Sequence, residues 1–138
     1  MAVRQIVEAM KTWHDPYIRV EVDAKRRLVR QTRSARGYED VETLRKSIAA
    51  AVAQMASVDR AEYALLQDMR APKGRNDPEF EAALAAVRPT LSTGFRRIAI
   101  LVATNVGRLQ VQRYLDKDKS PARAYLDEQT ALRWLEQD

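Results

Sequence analysis

Cysteine is absent from the 138-residue chain, so neither a disulfide framework nor thiolate chemistry is available to it. That absence fits a cytoplasmic protein. There is one histidine, His14, beside Trp13. With no second histidine and no cysteine, the usual donors of a transition-metal site are missing, and packing or surface exposure is the commoner role for such a residue. The longest strongly apolar run, IAILVA at residues 98–103, is far too short to cross a membrane. The start, MAVRQIVEAMKTW, lacks the uninterrupted apolar core of a signal peptide. The glycine-rich fingerprints of P-loop and dinucleotide-binding proteins do not occur. Ser34, Ser47, Ser57, Ser92 and Ser120 have no evident base partner, and Glu79 and Glu81 diverge around a helix, so neither a hydrolase triad nor an acid–base pair emerges. No enzyme, metal or cofactor is expected.

What is present suits one globular domain spanning 1–138, able to bury roughly two-thirds of its unfolded surface. Hydrophobic residues make up 46% and charged residues 31%, which separates the chain from disordered sequences. The net charge of +5 is uneven. Residues 1–36 hold nine Lys and Arg against four Asp and Glu, and the remainder is balanced. The excess concentrates in AKRRLVRQTRSAR, residues 24–36. Such a patch attracts anions or acidic partners, whereas the bland reading is a solvated hairpin edge that resists strand-to-strand aggregation. Its arginines, Arg26, Arg27, Arg30, Arg33 and Arg36, have no aromatics interleaved, so a stacking platform for nucleic acid is missing and such a partner is unlikely.

Periodicity supplies the element order. Val3, Ile6, Val7, Met10 and Trp13 recur at helical spacing, which predicts a short N-terminal helical extension over residues 1–14 that ends before Pro16. It could pack on the domain, on a second subunit or on a membrane surface. YIRVEVDA alternates with Ile18, Val20 and Val22 on one face, and LVRQTRSA follows as the second arm of an antiparallel hairpin. Residues 38–55 read as a helix capped by Asp40, with Val41, Leu44, Ile48, Val52 and Met55 inward. YALLQDM reads as a buried strand. A helix follows from Asp77 and Pro78, kinked or shortened by Pro89 and left through Gly94. FRRIAILVA reads as a strand covered on both faces. A helix capped by Thr104 or Asn105, with Val106 and Leu109 inward, a short strand in ARAYLDE and a last helix starting at Asp127 complete the chain. Strands alternating with helices predict an α/β fold: a single, mainly parallel five-stranded sheet flanked by about four helices.

This order resembles the STAS domain of bacterial anti-sigma factor antagonists, and more closely the divergent STAS-like group discussed alongside CRAL-TRIO domains. AEYALLQDMR and FRRIAILVATNVGRLQVQRYL with ARAYLDEQTALRWL carry the likeness, which covers about residues 17–137. It implies a non-catalytic, regulatory protein-interaction domain. Such antagonists are switched off by phosphorylation of a serine just after the third strand. Asp68 matches the family's aspartate, but no Ser or Thr occurs from Gln67 through Glu81, so that switch has no acceptor at this position.

The loop DMRAPKGRN, between a strand and a helix N-terminus, offers Arg70, Lys73 and Arg75, and Arg108 opens the helix after the next strand. In a parallel sheet both junctions share one rim. These four residues are the candidates for a recognition surface. The partner is another protein or a second copy of the chain. The alternative is a pocket for an anionic small molecule or lipid, and solvated loops with ordinary caps are the bland reading of both junctions.

Overall fold

A computed structural model describes residues 10–72 and 77–137. Six strands form one mixed sheet in chain order: β1 (Met10–His14), β2 (Ile18–Asp23), β3 (Leu28–Arg33), β4 (Ala64–Asp68), β5 (Arg97–Leu101) and β6 (Arg123–Tyr125). Strands β1 to β3 pair antiparallel and β3 to β6 pair parallel. The helices are α1 (Val41–Ala53), α2 (Pro78–Val87), α3 (Pro89–Ser92), α4 (Asn105–Lys117) and α5 (Glu128–Leu135).

The sheet departs from the expected one in two ways. It has six strands rather than five, and it is mixed rather than mainly parallel. The added strand is β1, where helical spacing suggested a helix. Met10 to His14 pair with Asp23 to Arg19, and residues 1–9 lie outside the described residues. The reason lies in the turn. Asp15 Oδ1 accepts hydrogen bonds from the amides of Tyr17 and Ile18, each at 2.8 Å, and the Asp15 amide donates to the Ile18 carbonyl at 3.0 Å. The Asp15-Pro16 pair does not stop a helix but forms the hairpin turn between β1 and β2. Ser47 Oγ on α1 donates to the other Asp15 oxygen at 2.7 Å and so ties that turn to the helix layer.

Two cores flank the sheet. On one face Val20, Val29, Leu65 and Ile98 pack under Leu44, Ile48 and Ala51 of α1, Phe80 of α2 and Leu91 of α3, with Leu115 of α4 at the margin. On the other, Leu66, Ala99 and Leu101 pack against Ala131 and Leu135 of α5. Strands β4 and β5 are therefore covered on both sides, which explains their unbroken apolar sequences. The crossovers from β3 to β6 all step one way along the sheet and stay on one face, as a single crossover hand requires.

The expected caps form. Asp40 accepts from the Thr43 amide at 2.7 Å, Asp77 from the Glu79 amide at 3.1 Å, Thr104 from the Gly107 amide at 3.0 Å and Asp127 from the Thr130 amide at 2.8 Å. Pro89 divides the helix after β4 into α2 and α3, and Gly94, at φ +94°, leaves it in the left-handed conformation.

One polar chain crosses the larger core. Gln31 on β3 and Gln67 on β4 are register partners. Gln67 Nε2 donates to Gln31 Oε1 at 2.9 Å, and buried Gln31 donates onward to the Leu91 carbonyl at 3.0 Å. Gln67→Leu leaves that Gln31 oxygen without its donor. The change is expected to destabilise the fold by about 1–3 kcal/mol in urea denaturation. An unaltered midpoint would show that the pair contributes nothing.

Candidate functional site

The parallel pairing of β3, β4 and β5 sends their C-terminal ends to the same rim, where a groove of about 740 Å³ opens between α2 and α4. Its walls are largely apolar: Met69 and Pro72 after β4, Phe80 and Leu84 on α2, Val102 after β5, and Val111 on α4. Arg33, Arg36 and Arg70 also line it, as does Glu81. A smaller cavity of about 480 Å³ lies at the opposite end of the strands. Its arginines are engaged: Arg26 with Glu136, Arg27 with Glu62, and Arg96 with the last carbonyls of the chain's final helical segment.

Arg70 belongs to a four-membered ion cluster. Its guanidinium holds Asp68 through two hydrogen bonds, Nε to Oδ1 at 2.9 Å and an Nη2 to Oδ2 at 2.7 Å, and reaches Glu128 Oε1 at 3.0 Å. Arg30 on β3 contacts the same two carboxylates, Asp68 at 2.9 Å and Glu128 at 2.7 Å. Asp68 is the buried member, with 8% of its side chain exposed. The cluster is neutral overall and joins β3, β4, the following loop and the first turn of α5, where the helix N-terminus also favours Glu128. Hydrogen bonds from Arg70, then its charge and a hydrogen bond from Arg30, hold the Asp68 carboxyl below its ordinary range against the opposing effect of burial. Arg30 does the same for Glu128.

The four named candidates are distributed unevenly. Arg70 reaches the rim as expected, but two carboxylates already neutralise it. Lys73 and Arg75 lie outside the described residues. Arg108 is half-buried and turns back on its own helix, donating to Asn105 Oδ1 at 3.0 and 3.2 Å. The groove takes Gly107, Gln110 and Val111 from α4 instead.

Arg33 and Arg36, which the sequence presents only as members of the basic stretch, line the groove together with Tyr38. Arg33 Nε donates to the Tyr17 carbonyl at 3.0 Å, and its guanidinium carbon sits 4.5 Å from the centre of the Tyr38 ring. Tyr38 stacks on Tyr17 with centroids 4.6 Å apart, and Arg36 lies over Tyr17. The basic stretch looked like a single patch, yet β3 runs through it. Six residues of strand, about 20 Å, separate Arg27 from Arg33. Counting along the strand would have assigned Arg33 and Arg36 to the C-terminal rim and Arg26 and Arg27 to the opposite end.

Helix α4 also reverses an expectation. Val106 and Leu109, expected inward, are 65% and 52% exposed, and Tyr114 is 68% exposed. The helix rests on Val111 and Leu115, both half-buried, and its short partner β6 cannot cover a wider stripe. With Arg113 and Lys117, the exposed positions share one face of the helix.

No family model matches the chain, and no curated protein matches it in sequence. Among solved structures it is similar to an uncharacterized protein from the DUF3478 family with a SpoIIAA-like fold, from Shewanella loihica PV-4. The TM-score is 0.53 at 15% identity, over 92% of each chain. That likeness supports the STAS-like architecture that the segment order resembles.

The ion cluster has a pH signature. The folded-state values of Asp68 and Glu128 are depressed, so their contribution is complete above the ordinary carboxylate range and is lost as pH falls through the folded values. Thermal stability is expected to drop below about pH 4. Asp68→Ala should cost about 3 kcal/mol at neutral pH, at the low end for a broken buried pair because Arg70 can turn to solvent, and should flatten that acid limb. Calorimetric melting from pH 2.5 to 7 checks both; an identical acid limb in wild type and variant would refute the assignment.

Proposed function

We propose that the domain is a non-catalytic regulatory module that binds another protein through the exposed face of α4. The observation that carries this reading is the clustering of Val106, Leu109 and Tyr114, three of the five large hydrophobic residues exposed among those described. Apolar residues grouped on one helix face and flanked by Arg113 and Lys117 suit a partner with an apolar and acidic surface. The other two, Met10 and Leu126, lie on different elements.

The STAS-like fold is compatible with a role like that of anti-sigma factor antagonists. Because no hydroxyl residue lies between Gln67 and Glu81, binding in this reading is not switched by phosphate there. Arg70, on the same rim, belongs to the proposed surface, and Arg108 supports it from within α4; Lys73 and Arg75, proposed for the same role, lie outside the described residues. A cytoplasmic location belongs to the same proposal. No helix among the described residues is long and apolar enough to cross a membrane.

Leu109→Glu combined with Tyr114→Glu is expected to abolish protein capture from the native cell extract while changing stability by no more than about 0.5 kcal/mol, as for other surface substitutions. A photo-crosslinking residue at position 109 should trap the same partner, and one at exposed Glu39 should not. Light scattering of the purified chain separates a second copy from a different protein. Undiminished capture by the folded double variant would reject the α4 face.

A further inference from the structure

The groove's three arginines differ in how their charge is met. Arg70 is held by Asp68 and Glu128, and Arg36 is 3.3 Å from Glu39. Arg33 has no carboxylate partner among the described residues. It is half-buried and anchored by two backbone carbonyls, those of Tyr17 at 3.0 Å and Arg36 at 3.4 Å, and by the Tyr38 ring. Carbonyl dipoles and a ring face orient a guanidinium without neutralising it. One positive charge is thus fixed at the edge of an apolar groove of about 740 Å³. Such a volume suits a small molecule, and a few fixed polar groups in an apolar lining commonly set a ligand's orientation.

We propose that this groove binds an organic monocarboxylate with an apolar body, of the fatty-acid kind, and that Arg33 receives the carboxylate. The planar guanidinium matches a carboxylate, while Met69, Phe80, Leu84, Val102 and Val111 offer contacts for the apolar body. Among the described residues one groove arginine lacks a carboxylate partner, which matches a single negative charge. Glu81, on the groove wall with no ion-pair partner among the described residues, opposes a second negative charge. This site adjoins the α4 face proposed for a protein but takes different residues of the helix. Gly107, Gln110 and Val111 look into the groove, whereas Val106, Leu109 and Tyr114 are exposed on the helix.

The test is calorimetric titration of the full chain with dodecanoate, 1-dodecanol and dodecyl phosphate below their aggregation limits. Dodecanoate is expected to bind at least tenfold more tightly than dodecanol, and more tightly than the phosphate. Arg33→Gln should erase the preference over dodecanol. Leu84→Trp, which fills the groove away from the charge, should weaken dodecanoate at least tenfold. Leu109→Glu should leave its binding unchanged, so this proposal and the α4 proposal can fail independently. No binding of dodecanoate, equal binding of dodecanoate and dodecanol, tighter binding of the phosphate, or a preference that survives in folded Arg33→Gln would overturn the assignment. Should Arg33→Gln not fold, the wild-type comparison and Leu84→Trp decide the matter.

Discussion

The parallel registration of β3, β4 and β5 is the constraint on which the rest of the molecule depends. Leu65 sits opposite Val29 and Ile98, and Asp68 opposite Thr32 and Leu101, so the three strands end at nearly the same level. Their exits therefore converge. The groove, the ion cluster and the start of α4 are consequences of that convergence, because each is assembled from residues within a few positions of a strand end. A slip of one residue in β4 would exchange Leu65 for Leu66 between the two cores and turn Asp68 away from Arg30 and Glu128. Register and charge pairing reinforce one another: the apolar pattern selects the alignment, and the cluster penalises its neighbours by leaving a buried carboxylate without cations.

Arg70 illustrates why charge on a loop is a poor guide to function by itself. In the sequence it is a cation beside a helix N-terminus, which invites an anion. In the fold its charge is met by two carboxylates, one from 2 residues away and one from 58 residues away. Only the first lies close in sequence. Arg33 is the converse: embedded in a run of basic residues that looks like a solvated edge, it is the groove arginine that lacks a carboxylate neighbour among the described residues. The difference depends entirely on long-range geometry, which local composition does not encode.

Much of the architecture was nonetheless legible. The strands at 18–23, 64–68 and 97–101, the caps at Asp40, Asp77, Thr104 and Asp127, and the division at Pro89 all follow from short-range chemistry acting on a few neighbouring residues. The failures have a common origin in elements that bury little. Strand β1 is mostly exposed, so its apolar spacing carried no information about a core, and the Asp15 turn decided its conformation. Helix α4 has no fully buried residue, so the stripe that looked inward had no core to enter. Apolar periodicity reports burial only where a neighbour is present to receive the stripe.

The exposed side of α4 and the groove share one helix and adjoin along it, since Gln110 at the groove lies one turn from both Val106 and Tyr114. Gly107 sits at the division. A side chain there would place its Cβ 3.1 Å from Thr104 Oγ1, the atom that caps the helix, so the first turn admits little bulk without disturbing the cap. The small residue lets the helix start close to the end of β5 and brings Gln110 and Val111 over the groove. The same docking lays Val111 and Leu115 toward the sheet, both half-buried, and turns Val106 and Leu109 outward. Exposure of the apolar stripe is thus the geometric counterpart of forming the groove, and the two surfaces arise together from the docking of a single helix.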